Sequence, residues 1–398
     1  MAAVGGDTPV LDRSLVVSAN GPGRILVVNA GSSSLKLRVL DRDDAMVASA
    51  DLPAPRGSTD AGAVADAIHR LGAVDAVGHR IVHGGSQFSS SVVLDADVEA
   101  RLRALTDLAP LHQPKSLAAV KAVKAVLPDV PAGACFDTAF HATMPAAATT
   151  YALPAEWRKR WDLRRFGFHG LSHAYATRRV TELLGNAPSG GWRIVTCHLG
   201  AGASLAAVLD GRSVDTTMGF TPLEGLVMAT RSGSVDPGLV LWLEEHAGTP
   251  PAELAATLEH RSGLLGLAGT ADMRTIVESA AAGEPDATLA LDVYVHRLRA
   301  GVASMAASLG GLDALVFTGG VGERAPVVRA RVTKGLRFLG VALDATRNDG
   351  GTDDREISAS GAAVRTFVLV AREDLQIAHE VREVLAGHGA RSGQPARP

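Results

Sequence analysis

One design occurs twice in this chain, and it limits the possible folds more than any other feature. RILVVNAGSSSLKLRVLD, residues 24–41, runs an apolar strand pattern into Asn-Ala-Gly-Ser-Ser-Ser and returns as a second apolar run carrying Lys36. RIVTCHLGAGASLAAVLDG begins 169 residues later and repeats strand, small-residue turn and strand. A glycine, three hydroxyls and a lysine suit a phosphate, but a P-loop would open onto a helix. Here LKLRVLD alternates with period two and reads as a strand. A phosphate loop at this point sits in a β-hairpin. DALVFTGGVGER, residues 313–324, adds a strand ending in a glycine turn. One strand–turn–strand unit in each half predicts an internal duplication of α/β domains with a ligand held between them.

At 398 residues the chain is long enough for two cores. A net charge of −3 gives no reason to expect nucleic acid or an anionic membrane as partner. Cys135 and Cys197 lie in apolar runs without metal or disulfide spacing, which reads as two reduced core thiols in a cytoplasmic protein. Residues 1–23 lack the basic start and apolar core of a signal peptide and read as a disordered leader. No apolar stretch approaches the ~18 residues of a membrane span.

Between the hairpins, strand and helix patterns alternate. Helices are expected over 95–108, from Pro114 to Val126, from a Ser172 cap to Gly185, after Asp236-Pro237, over 286–309 and over 374–385. Alternation implies mixed sheets covered by helices, with ligands at the carboxyl ends of strands. Several polar residues fall at such ends. Asn29, Ser32, Ser33 and Ser34 follow the first strand, although serine-rich turns are commonly only turns. Arg80 in HRIVHGG can grip a carboxylate or phosphate bidentately, whereas His79 and His83 receive no role. Asp137 directly follows a buried strand, where a carboxylate is costly without a cation, or else caps the next turn. His169 lies on a loop before a helix, and small residues surround Arg231. The glycines of HLGAGAS and FTGGVGE leave backbone amides open to phosphates and a flat base.

Taken in order, VNAGSSSLK, GHRIVHGG, APLHQP, FDTAFHATMP, RFGFHGLSH, HLGAGAS, MGFTPLEGLVMATRSGSVDPG, ADMR, FTGGVGE and ARED resemble the acetate kinase family, a branch of the acetate and sugar kinase, heat-shock chaperone and actin group. The resemblance runs over residues 24–385. It implies an α/β fold of duplicated actin-like (ribonuclease H-like) domains with mixed sheets and an interdomain nucleotide cleft. Residues 24–136 with about 375–390 would form one domain and 137–374 the other, nucleotide-binding one. The implied reaction is reversible transfer of the ATP γ-phosphoryl group to acetate, giving acetyl phosphate and ADP, with Mg²⁺ or Mn²⁺ and in a homodimer.

The family's roles carry over to matching positions. Asn29 and Glu373 would help hold the metal. Lys36, with Ser32, Ser33 and Ser34, would meet ATP phosphates, and His198, Leu199, Gly200, Ala201 and Gly202 would form the second phosphate hairpin. Asp272, Met273 and Arg274 would lie around the adenosine, with Gly320, Val321, Gly322, Glu323 and Arg324. Arg80 would bind the substrate carboxylate and Val82, Leu111 and Pro222 would surround its methyl group. Asp137 would be the central carboxylate, and His169 and Arg231 would stabilise the phosphoryl group in flight. Two departures stand out, because relatives mostly carry Asn where this chain has Ala201, and Asn where it has Arg372. A propionate or butyrate kinase remains an alternative within the family. Outside it, the alternatives are an exopolyphosphatase, a sugar kinase and a nucleotide-switched actin- or chaperone-like binding protein.

Overall fold

The computed structural model describes residues 22–31, 34–54, 60–106 and 113–392, with side chains to residue 388. The expected leader to residue 21, Ser32, Ser33 and Leu111 lie outside the described residues.

Apolar alternation produces two sheets of six strands. The first contains β1 (Ile25–Ala30), β2 (Ser34–Leu40), β3 (Met46–Pro53), β4 (Ala76–Ile81), β5 (Val92–Val93) and β6 (Ala132–Phe136). Its order is β3-β2-β1-β4-β6-β5. The second contains β7 (Arg193–Leu199), β8 (Ala203–Leu209), β9 (Arg212–Thr216), β10 (Ala314–Thr318), β11 (Arg355–Glu356) and β12 (Arg365–Val368). Read from its other edge, its order is β9-β8-β7-β10-β12-β11, the same arrangement strand for strand. Directions agree too: β1–β2, β2–β3 and β5–β6 are antiparallel while β1–β4 and β4–β6 are parallel. The second sheet repeats each of these pairings. The duplication expected from two hairpins is thus a duplication of whole α/β units, the architecture of paired actin-like domains.

The helices form close to where the sequence puts them. Asp95 caps Ala96–Ala104 by accepting from the Val98 amide at 2.8 Å. Gln113–Val126, Pro237–Ala247 and Pro285–Ser308 follow as expected, and Asp236 caps the second of these. Two expectations need correction. Ser172 is no cap: the helix runs Gly170–Leu184 with His169 at its N-cap, leaving Ser172 inside the first turn and buried. The glycines after β10 do not form a turn either but enter directly the helix Gly319–Arg324.

The last helix, Glu373–Ser392, returns to the first sheet. Ile377, Ala378, Val381 and Leu385 share a core with Ile25, Val27, Leu40, Ala76 and Cys135. Close approach at β4 depends on Gly78, because a Cβ there would lie 2.5 Å from Ile377 Cγ2 and 2.9 Å from Val381 Cγ2. Gly78→Val should therefore destabilise the first half by about 1–3 kcal/mol through overpacking. Denaturant titration should record that loss, and Ile377→Ala in the same chain should recover part of it. A Gly78→Val chain as stable as the parent would contradict the packing argument.

Candidate active site

Parallel pairing aligns the carboxyl ends of β1, β4 and β6, and three polar residues meet there. Arg80 donates from Nε to both oxygens of Asp137 at 3.1 Å and from Nη2 to Oδ2 at 2.6 Å. Its Nη1 donates to Asn29 Oδ1 at 3.0 Å. Asn29 in turn donates from Nδ2 to Glu373 Oε2 at 3.0 Å, so the first turn of the last helix joins the same cluster. Lys36 stands opposite Asn29 across the hairpin, and its charge helps to lower the Glu373 pKa. Burial pushes Asp137, only 1% exposed, above the usual carboxylate range, while Arg80 pulls the other way. Burial also opposes the charge on Glu373, yet Arg80, His198 and the Asn29 hydrogen bond outweigh it and hold this carboxyl below its ordinary value.

A second group faces the first from the other half. The Gly170 amide donates to the Asp137 carbonyl at 2.8 Å, which docks the His169 loop onto the Arg80 cluster. His169 adopts a left-handed backbone at φ 57°, uncommon for a side-chain-bearing residue and a form of strain that concentrates at functional sites. Its Nδ1 meets Ser204 Oγ at 2.9 Å, and its ring lies 4.4 Å from that of His198. His198, next to last in β7, places Nδ1 2.7 Å from Ser172 Oγ. The turn between β7 and β8 passes directly over these rings. A Cβ on Gly202 would come within 3.1 Å of His169 Nε2 and 3.5 Å of Arg231 Nη1, so only glycine fits comfortably. Arg231 is paired with Glu259 (Nε to Oε1, 2.9 Å) and donates from Nη1 to the Pro222 carbonyl at 3.2 Å. Val82 is buried in the same apolar core that contains Leu199, Ala203 and Phe168. Surrounding protein, then His198, His173, Arg80 and Arg231, hold the His169 imidazole well below its usual pKa. Desolvation lowers His198 as well.

The glycine helix adjoins this hairpin, since a Cβ on Gly319 would meet the Leu199 carbonyl at 2.8 Å. Glu323 accepts from the Ala371 amide at 3.0 Å, beside Glu373. Asp272 caps the helix Met273–Ala281 through the Arg274 amide at 3.0 Å. No hydrogen bond or ion pair among the described residues joins Asp272, Met273 or Arg274 to the Arg80 cluster or to residues 320–324. Both departures prove local. Ala201 uses its carbonyl to accept from the Ala229 amide at 3.0 Å, a contact indifferent to its side chain. Arg372 is held by Asp374 and leaves Glu373 on Asn29.

The family comparison agrees with this arrangement. The model of the acetokinase family matches residues 60–379. The chain belongs to the acetokinase family. An acetate kinase of Nostoc punctiforme is 47% identical over 319 residues, covering 80% of this chain and 78% of that protein. One from Bacillus mycoides is 40% identical over 389 residues, covering 90% and 98%. The crystal structure of Porphyromonas gingivalis acetate kinase matches with a TM-score of 0.84 at 36% identity, covering 91% of this chain and all of that one. A propionate kinase from Francisella tularensis matches with a TM-score of 0.84 at 34% identity, covering 90% and 98%.

Sequence reasoning gave no site role to three residues that this acetokinase places around the candidate imidazoles: Ser172 contacts His198, Ser204 contacts His169, and His173 contacts Ser204. They lay within the quoted motifs, but only a fold reveals their contacts. Arg329 is 1% exposed and donates from Nη1 to the carbonyls of Gly322 and Glu323, at 2.8 and 2.9 Å. It supports the carboxyl end of the glycine helix as a buried cation, which burial lowers to about 10.

Burial also lowers His79, His83 and His141 to about 4 from 6.5. Between these values the unfolded chain binds protons that the native chain refuses, so stability falls as pH falls from 6.5 towards 4. Each group contributes a slope of about 1.4 kcal/mol per pH unit in that window. Urea unfolding at pH 7 and pH 5.5 should show the loss. Equal stability at both values would mean that these imidazoles are not held neutral.

Proposed function

We propose that this acetokinase is an acetate kinase, reversibly transferring the ATP γ-phosphoryl group to acetate to give acetyl phosphate and ADP. The observation that carries the reading is the Arg80 junction, facing a pair of histidines over a glycine hairpin. Arg80 has five guanidinium N–H groups. Its contacts to Asp137 and Asn29 engage three, leaving one on each terminal nitrogen. Two N–H groups are what a carboxylate accepts from a bidentate arginine.

Acetate is already ionised at neutral pH, since it is a simple carboxylic acid like the Glu side chain, which titrates at ~4.3. The task is therefore to align an anion with a polyphosphate and to stabilise charge in transfer, not to extract a proton. In this reading Arg80 holds acetate, and His169 and Arg231 donate to the phosphoryl oxygens. Asp137 fixes the plane of Arg80, a role its hydrogen bonds support. Val82, Leu111 and Pro222 wall the methyl group. Lys36 and residues 32–34 meet the phosphates from one hairpin, residues 198–202 from the other. Asp272, Met273, Arg274 and residues 320–324 surround the adenosine. Glu373 and Asn29 offer the hard oxygen donors that suit Mg²⁺ or Mn²⁺, which take one or two carboxylates plus phosphate oxygens and water. Such an ion supplies neutralisation of phosphate charge.

The domain division at 24–136 with about 375–390, against 137–374, draws support from the last helix lying on the first sheet. Domain closure would keep water from the labile acyl phosphate. A homodimer would cover the exposed Leu239, Leu241 and Trp242 of a helix that has no buried residue. Buried free thiols at Cys135 and Cys197 suit a reducing compartment, and on that ground we assign the protein to the cytoplasm. No helix among the described residues is long and apolar enough to cross a membrane. Propionate is the second reading, favoured by the propionate kinase of equal TM-score.

Acyl phosphate formation from ATP, Mg²⁺ and a panel of carboxylates tests the proposal. Acetate should be best, propionate measurable and butyrate poor, because one methylene is worth only ~1–3 kcal/mol in a pocket. Val82→Ala should raise the propionate-to-acetate ratio; butyrate outperforming acetate would sink the assignment. Arg231→Ala should lower kcat by about 10²- to 10³-fold, the usual loss for one donor to a developing charge. Lysine at position 80 or 231 should restore little, lacking the planar fork. Near-normal turnover in Arg231→Ala would remove that residue from the mechanism.

A further inference from the structure

Beneath His169 a chain of hydrogen bonds runs into the protein and stops. His169 Nδ1 contacts Ser204 Oγ at 2.9 Å, and the same oxygen contacts His173 Nε2 at 2.8 Å. His173 Nδ1 contacts Thr196 Oγ1 at 2.7 Å. Thr196, Ser204 and His173 are each 0% exposed, so no solvent can replace a missing partner. Among the described residues the Thr196 hydroxyl has no other hydrogen bond.

Each hydroxyl has one proton and each neutral imidazole has one N–H, which leaves few ways to fill this chain. Suppose His169 carried its proton on Nδ1. If Ser204 then donated to His173 Nε2, His173 would donate from Nδ1 to Thr196, and the Thr196 hydroxyl proton would be buried without an acceptor. If His173 instead carried its proton on Nε2, two N–H groups would meet at Ser204 and its own proton would have nowhere to go. Only one filling satisfies every group. Thr196 donates to His173 Nδ1, His173 Nε2–H donates to Ser204, and Ser204 donates to His169 Nδ1. The last proton of the chain then sits on His169 Nε2, the atom that faces the Gly202 turn. A buried donor or acceptor left unsatisfied costs roughly 1–3 kcal/mol, enough to select one filling.

We propose that Ser204, His173 and Thr196 are positioning residues that fix His169 as the Nε2–H tautomer, so that it meets the phosphoryl group as a hydrogen-bond donor. The relay runs one way because the Thr196 hydroxyl proton has no acceptor among the described residues other than His173 Nδ1. Burial of the rings, which disfavours imidazolium, keeps the chain in neutral forms. The proposal rests on the acetate kinase reading for its consequence in catalysis, but the tautomer itself can be read without any substrate.

Nitrogen-15 spectra of histidine-labelled protein, with His169 assigned through His169→Gln, distinguish the two ring nitrogens. The wild type should show a single neutral tautomer protonated at Nε2. A wild-type spectrum with the proton on Nδ1 overturns the proposal whatever the enzyme's activity. Ser204→Ala should give mixed tautomers and lower kcat about tenfold, with KM for ATP and acetate within about twofold, because the donor is retained but no longer oriented. Ser204→Thr should restore both the spectrum and kcat. An unchanged tautomer in folded Ser204→Ala would also overturn the relay. If His169→Gln keeps full turnover while the wild-type spectrum is as expected, the relay stands and the catalytic reading of His169 fails instead.

Discussion

The buried pair between Arg80 and Asp137 is the contact on which the rest of the site depends. Burying two charges costs several kcal/mol per ion, and their attraction seldom returns more than that, so such pairs contribute little net stability. Their effect is positional, because removing either partner leaves an uncompensated charge inside the protein. Arg80 is the penultimate residue of β4, Asp137 follows β6, and Asn29, penultimate in β1, lies between Arg80 and Glu373. One guanidinium thus locks three adjacent strand ends to the last helix of the chain. The carbonyl of the same Asp137 holds Gly170, and through it the strained His169. Asp137 thus ties the strand ends of the first sheet, through its carboxylate, to the His169 loop, through its carbonyl.

The duplicated framework shows how one backbone design supports different chemistry. Asn29 and Lys36 face each other near the end of the first hairpin, and His198 and Ser204 occupy the matching places in the second. Carrying the register across the parallel strands puts Thr318 where Arg80 stands and Ala371 where Asp137 stands. The first half therefore has charge at its strand ends, while the second has hydroxyls, neutral imidazoles and glycine. A carboxylate needs a cation, whereas a nucleotide needs open amides and close backbone approach. The two halves divide those needs between them.

How far the sequence carried the analysis follows from the same distinction. Local patterns were legible: alternating apolar residues gave the hairpins, and Asp95 and Asp236 announced their helices by capping them. Arg80 and Asp137 stood out because charge beside a buried strand needs an explanation. Ser172 was misread because a serine before a helical pattern resembles a cap, yet the strained His169 takes that position and Ser172 turns inward to His198. The glycines at 319–322 looked like a turn because glycine weakens helices, but helix Gly319–Arg324 is held by Arg329, whose contacts no periodicity could reveal. Glu373 was reached only through the family resemblance, and the contacts of His173 and Ser204 join residues distant in sequence, which tertiary packing decides.

Charge balance explains why the arrangement suits two anionic substrates. Arg80 is matched by Asp137 and Glu373, Arg231 by Glu259, and Lys36 faces the Asn29–Glu373 contact. The histidines add no charge because burial keeps them neutral. A row of unpaired cations would attract acetate and polyphosphate strongly in the ground state, lowering KM without raising kcat. Cations already engaged by carboxylates offer less to the ground state. In the proposed reaction their remaining N–H groups, and the oriented His169 donor, would gain most where negative charge moves onto the transferring oxygens. If Arg80 and Arg231 act as proposed, the carboxylates beside them would direct binding energy towards the transition state in place of tighter substrate binding.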